Sequence, residues 1–290
     1  MKKNFIKALF VGAIATATIT SCTSDDGGAK DDTNPDINNP VSAKYKHRVL
    51  VEDFTGTWCG WCPMLAHVVD LIKEQDNSDN FVFSAIHNGD SMTVSGTSAL
   101  NRELASKIGD GSLAYPFVVV NRATQWLNQD NPSRNIKIAE DSYNAEGVPV
   151  GIKIASELTA TGGSVNFSIK LGSTYNSGLK YVCYITENNI VKSGDPQQNY
   201  TSYYGGGSAL PNFVHHDVFL RATASVQGTA ISADQTKDGA EIAFNQNVAY
   251  TSHTGSVDNI DVVVMVLNNN GDVLNVRKVK ANATADYENM

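Results

Sequence analysis

The chain has 290 residues, a formal charge of -8 and 18% charged residues, with abundant aliphatic and aromatic side chains. That length allows two bodies with cores of their own. The acidic balance, without a basic patch, excludes a nucleic-acid footprint.

In chain order, "MKKNFIKALFVGAIATATITSC" comes first. A basic start, an apolar run from Phe5 to Ile19 and small residues before Cys22 predict a secretory signal over residues 1–21. The run is too short and too rich in Ala and Thr to predict a membrane-spanning helix. Ile19 to Cys22 resembles the lipobox of bacterial lipoproteins, which implies acylation of Cys22 and a membrane anchor through it. An ordinary signal cleaved nearby is the alternative. Residues 22–44 hold almost no apolar side chain except Ile37 and Val41, so they predict a disordered acidic tether. Asp25 and Asp26, close behind Cys22, resemble the export signal of surface-displayed Bacteroidota-type lipoproteins; a plain soluble linker is the other reading. Either way, the remaining cysteines lie in an exported, disulfide-permissive compartment.

Residues 45–147 alternate strand and helix. "HRVLVEDF" predicts a buried strand, and "CPMLAHVVDLIKEQ" sets Met64, Leu65, Val68, Val69 and Ile72 at helical spacing. "NFVFSAIH" predicts a second strand, "SALNRELASKIG" a second helix stopping at Gly109, and "FVVVN" a third strand. A third helix starts with Asn131 as cap and Pro132 at its first position, and stops at Gly147. This order predicts an α/β sheet with at least one parallel pair.

Residues 148–290 predict seven strands: "VGIKIASELT", "VNFSIKLGS", "LKYVCYITEN", "HHDVFLRATAS", "AEIAFNQNVAY", "NIDVVVMVL" and "DVLNVRKVKA". The last two are joined by an Asn-Gly hairpin signal. Seven short strands predict an all-β, immunoglobulin-like β-sandwich domain. "NIVKSGDPQQNYTSYYGGGSALPNF" between the third and fourth runs reads as a long loop. His215 and His216 point to opposite faces of a strand and read as structural or surface groups. Cys183, alternating with Tyr181 and Ile185 on one face, reads as a small buried hydrophobe.

The stretch that carries chemistry is "TWCGWCP", Thr57 to Pro63. Cys59 and Cys62 could form a redox dithiol, half of a metal site or a static disulfide. Structural zinc wants four ligands, and Cys22, Cys183 and His67 do not complete a recognised set. No metal and no cofactor is expected. A cysteine pair between a strand and an amphipathic helix suits redox chemistry, because unsatisfied N–H groups and the helix dipole stabilise a thiolate there. Pro63 is tolerated in the first turn, where its missing N–H would be unpaired anyway.

"VEDFTGTWCGWC" resembles the thioredoxin active-site segment: Asp53 stands six residues before Cys59, and Trp58 directly before it. "LAYPFVVV" resembles the thioredoxin cis-proline segment, with Pro116 facing the dithiol. The resemblance implies a thioredoxin-like domain over 45–147, with Cys59 as nucleophile, Cys62 as resolving thiol, Pro116 guarding the sulfurs and Asp53 accepting the Cys62 proton. The central dipeptide is Gly-Trp rather than Gly-Pro, and no lysine on the second strand partners Asp53. Trp58, Trp61 and Tyr115 would form the substrate-adjacent rim. With its lipoprotein signal and β domain, the chain is similar to the twenty-eight-kilodalton outer-membrane protein family of Bacteroidota-type bacteria. "YITENNIV" and "NFVHHDVFLRA" carry that likeness. It implies an outer-membrane, lipid-anchored protein on the periplasmic face or the cell surface. The expected function is thiol–disulfide exchange with cysteine-containing exported proteins or a redox partner. The alternative is a surface binding module or adhesin, with the aromatic, Gly-rich "NYTSYYGGG" loop among its contacts and the disulfide as a staple.

Overall fold

"VLVEDFT" is buried along its whole length and forms β1 (Val49–Thr55), the kind of run that a strand covered on both faces requires. The computed structural model describes residues 41–290 except 110, 112–113 and 127–130. The signal, Cys22 and the tether through residue 40 therefore lie outside the described residues. After β1 come α1 (Cys62–Lys73), β2 (Phe81–His87), α2 (Thr97–Ile108), β3 (Phe117–Val120), β4 (Thr124–Gln125) and α3 (Pro132–Asp141). The Asn131 side chain caps α3 by accepting from the Arg134 N–H, and Pro132 opens the helix. The helix ends at Asp141, short of the expected Gly147.

The second half supplies β5 (Val150–Thr159), β6 (Gly162–Leu171), β7 (Leu179–Glu187), β8 (Ile190–Val191), β9 (Gln197–Gln198), β10 (Ala209–Leu210) and β11 (Val214–His215). It continues with β12 (Val218–Ala222), β13 (Thr229–Ile231), β14 (Glu241–Ala249), β15 (Ile260–Leu267), β16 (Val273–Lys280) and β17 (Thr284–Ala285). The described chain is mostly β-strand with few helices. The stretch expected as a loop holds the short ribbon of β9 with β10, and its β8 pairs with β11 just beyond it.

One large sheet runs β16-β15-β7-β12-β2-β1-β3-β4, with β13 also paired to β7. β1 and β2 are parallel and in register from Val49 opposite Phe81 to Thr55 opposite His87, while β3 lies antiparallel to β1. A second sheet, β14-β6-β5-β17, stacks on the β7–β15 part of the first over a core that includes Ile152, Phe167, Cys183, Ile185 and Val264.

The expected division at residue 147 does not separate two cores. β12 from the second half pairs with β2 from the first through Val218 opposite Ala85, and the Ala85 N–H donates to the Asp217 carbonyl at 2.8 Å. Beneath this junction, Leu50, Phe54 and Ile86 share a buried cluster with Tyr184, Phe219, Val263 and Met265, closed by Leu100 and Leu104 of α2. Burying both faces of the shared sheet leaves neither half a complete surface of its own. Residues 41–290 lie in one compact unit.

The last residues of the expected tether are also docked. The Ser42 N–H donates to the Gly172 carbonyl at 2.8 Å, and the Lys44 carbonyl accepts from the Met290 N–H at 3.0 Å. The second bond ties the start of the folded body to its C-terminal end.

Candidate functional site

β1 ends at Thr55, and the chain turns through Gly56 to Trp61 before Cys62 opens α1. The turn is fixed by backbone bonds: the Cys59 N–H donates to the Gly56 carbonyl at 3.0 Å and the Cys62 N–H to the Cys59 carbonyl at 3.1 Å. Their Cα atoms are 5.4 Å apart, and the two sulfurs form a disulfide. Pro63 lies in the first turn of α1, whose start has no side-chain cap. The turn's outer end is held by Asp90, whose Oδ2 accepts from the Thr57 N–H at 2.9 Å and lies 2.6 Å from Nδ1 of His87. Burial pushes the Asp90 pKa up, but the hydrogen bonds and charge of His87 and the N–H groups of Thr57 and Met92 outweigh it and hold the carboxyl below its usual range.

Asp53 is buried on β1, opposite Ala85 and Val118. Its Oδ1 has no hydrogen-bond partner among the described residues, and burial raises its pKa to about 7. The lysines nearby are engaged elsewhere: Lys73 of α1 and Lys278 of β16 both bind Asp217, at 2.7 and 2.9 Å. Trp58 and Trp61 are exposed. Trp58 packs edge-on against Tyr115 with ring centroids 5.2 Å apart, and its indole N–H donates to the Asn88 carbonyl at 2.7 Å. Tyr115 precedes the buried Pro116 across a cis peptide bond, and its hydroxyl accepts from Asn101 at 2.9 Å. Tyr115, far along the chain from Trp58, is thus drawn against the turn that holds the two cysteines.

Sequence reasoning missed what covers that turn. The strap formed by residues 197–205 crosses it and leaves Cys59 4% and Cys62 2% exposed. The Gln198 N–H donates to the Thr57 carbonyl at 2.6 Å and the Tyr200 N–H to the Gly60 carbonyl at 2.7 Å, so the strap pairs with the turn as an added strand would. The Gln197 side-chain amide lies 3.0 Å from the Cys59 carbonyl and 3.3 Å from that of Thr57. The Tyr200 ring stands edge-on to Trp61 at 6.0 Å and so close to Gly60 that a Cβ there would lie 2.4 Å from it. Further along, Tyr203 stacks on His67 at 4.2 Å and the Tyr204 hydroxyl donates to Asp70 at 2.6 Å, anchoring the strap to α1. The only sequence signal was the aromatic and Gly-rich composition of this stretch. Cys183 is buried in β7, with burial pushing its thiol up to about 12, as a packing residue requires. His215, at the end of β11, is buried, and His216, just beyond the strand, is exposed.

The class defined here is a mostly β-stranded protein with a short-range disulfide at a helix N-terminus, covered by its own strap. The family model of the outer membrane protein Omp28 matches residues 105–285, well over half of the chain, and the chain belongs to that family. The matched region begins after the disulfide and includes Pro116 and the strap. The fold is similar to HBP35 of Porphyromonas gingivalis, at 16% identity and a TM-score of 0.61 over 82% of this chain and 76% of that one. It is also similar to a crystal structure of a protein from Agrobacterium tumefaciens, at 14% identity and a TM-score of 0.54 over 84% of this chain and 98% of that one. A search of curated proteins gives no match. Among the described residues no helix is long and apolar enough to cross a membrane.

Proposed function

We propose that the protein is a membrane-anchored thiol–disulfide oxidoreductase acting on cysteine-containing exported proteins or a redox partner. In this reading residues 45–147 are a thioredoxin-like half, and residues 148–290 an immunoglobulin-like sandwich fused to it through the shared sheet. The observation that carries it is the Cys59–Cys62 disulfide closing at the start of α1, with the buried Asp53 on the strand leading into it. A substrate thiolate attacks Sγ of Cys59, the S–S bond breaks, and Cys62 leaves as a thiolate that takes a proton from Asp53. A second substrate thiolate then attacks its own sulfur in the mixed disulfide and releases the Cys59 thiolate. Two electrons pass to the protein and the substrate leaves oxidised; the reverse sequence reduces a substrate disulfide. The helix N-terminus stabilises the thiolate that each step produces. Pro116 and the Trp58, Trp61 and Tyr115 rings would border the incoming chain once the strap moves aside.

Cys22 would carry the lipid that holds the body to the outer membrane. Cys22→Ser is expected to move the protein from the membrane pellet to the soluble fraction. Retention in the pellet would overturn the anchor but leave the redox reading standing.

The redox reading is tested by comparing wild type with Cys59→Ser in disulfide reduction and isomerisation assays. Loss of activity supports it; equal activity sinks it. A second reading, a surface binding module with a structural disulfide, is favoured by the burial of both cysteines under the strap. A disulfide that stays closed across a glutathione series spanning physiological potentials would select that reading.

A further inference from the structure

A cavity of about 520 Å³ lies between α1, the β1–β2 floor and the segment from Leu210 to Asp217. This volume falls in the range of small-molecule sites, roughly 300–1,000 Å³. Much of the wall is apolar, including Val51, Phe83, Val69 and Phe213. Such a wall would admit many apolar bodies, so the polar groups decide what fits.

Two of them are unsatisfied. The parallel register places Asp53 opposite Ala85 and Thr55 opposite His87, so Asp53 and His87 lie on one sheet face, two positions apart along adjacent strands. Both line the cavity, and both are more than nine-tenths buried. Oδ1 of Asp53 and Nε2 of His87 have no hydrogen-bond partner among the described residues. Leaving such a pair unmet is unfavourable by about 1–3 kcal/mol per group, so a ligand that meets them gains both affinity and orientation.

Ser84 also lines the cavity and its Oγ has no partner among the described residues, while the two other acidic lining groups are engaged. Asp217 is held by Lys73 and Lys278, and Asp70 accepts from Tyr204. An anionic ligand would face Asp53, Asp70 and Asp217, and the lining lysine, Lys73, is already paired. An ammonium can only donate. His87 Nδ1 lies 2.6 Å from the Asp90 carboxylate, which leaves Nε2, without a partner, for the cavity. A hydroxyl both donates and accepts, so it can take a hydrogen bond from one of the two groups and give one to the other.

We propose that this cavity binds an uncharged, largely apolar small molecule bearing a hydroxyl group, with the hydroxyl end toward Asp53 and His87. The site does not require the disulfide to exchange, so it stands or falls apart from the redox reading.

The test is calorimetric titration of the oxidised full chain with 4-butylphenol, 4-butylanisole and 4-butylbenzoate. The phenol should bind saturably with one-to-one stoichiometry. The anisole, which cannot donate, should bind about tenfold more weakly, in line with the loss of a buried hydrogen bond. The benzoate should not bind. Asp53→Leu combined with His87→Leu should bring the phenol and anisole affinities to within about twofold of each other. Ala66→Phe, which fills the cavity from α1, should abolish binding of both; Val69→Phe fills the same space and serves if Ala66→Phe fails to fold. Absence of saturable phenol binding, equal binding of all three probes, or full binding by the folded cavity-filling variant would each overturn the proposal.

Discussion

Asp53 is a carboxyl set where its charge is unfavourable. Its pKa rises from 3.8 to about 7 because burial disfavours the anion, and the nearby lysines are committed to Asp217. The folded protein therefore holds a proton on Asp53 between about pH 4 and pH 7 that the unfolded chain has released. Stability falls as pH rises through that window, and the full penalty is present above it. Each tenfold weakening of the acid corresponds to about 1.4 kcal/mol, so the penalty is of order 4 kcal/mol. Asp53→Asn, which cannot ionise, should match the parent near pH 4 and exceed it at pH 8. Urea unfolding across this range checks it, and a stability difference that stays flat from pH 4 to pH 8 would refute the assignment. The position of Asp53 before Cys59 was legible in the sequence. The absence of a lysine partner on the second strand was legible too; the commitment of Lys73 and Lys278 to Asp217 was not, because they reach it only once α1 and β16 are packed.

At the scale of elements, the long helices and strands were readable because their apolar periodicity is local. The Asn131 cap and the Cys183 alternation in β7 are such cases: Tyr181, Cys183 and Ile185 enter one core, and Val182 and Tyr184 the other. The strap was not readable. Gln197 meets the Cys59 carbonyl across a separation of 138 residues, and its neighbouring strands are two residues long. Nothing in the local pattern of such a segment says where it docks. Its docking nevertheless governs access to the disulfide. Gln197→Ala leaves the carbonyls of Cys59 and Thr57 without their side-chain donor, a loss of about 1.4 kcal/mol or tenfold in the open population. Gly60→Ala acts from the other side by pressing a Cβ into the Tyr200 ring. Both should quicken reduction of the disulfide by dithiothreitol about tenfold with the overall fold retained. Unchanged rates would mean that the sulfurs are reached by a route the strap does not cover.

Across the whole molecule, the two expected bodies lie in one compact unit, and the reason is a shared interior. The sequence showed the change from α/β to all-β near Gly147. It did not show that β12 would insert beside β2, since a five-residue strand carries no mark of its partner. A buried polar tie crosses the same junction. Arg122, after β3, donates to Glu52 of β1 at 2.8 and 2.9 Å, and Tyr184 of β7 donates its hydroxyl to Glu52 at 3.0 Å. Burial pulls the guanidinium pKa down, but Glu52 beside it raises it above its usual value overall, so the guanidinium stays charged.

Separating the halves would uncover Tyr184, Phe219, Val263 and Met265, each worth about 1.5–3 kcal/mol when buried. That loss is comparable with the roughly 5–15 kcal/mol that holds a typical domain folded. Residues 45–147 produced alone should therefore lack a cooperative melt. Arg122→Met in the full chain leaves Glu52 buried without its ion-pair partner, and should lower stability by about 3–5 kcal/mol. Adding Glu52→Leu removes the stranded carboxyl and should restore most of that loss. Because the tie joins both halves, denaturant unfolding followed at Trp126 and by backbone circular dichroism should give one coincident transition in the parent and in both variants. Two separated transitions, or a fragment 45–147 that melts cooperatively, would show that the halves hold their own cores after all.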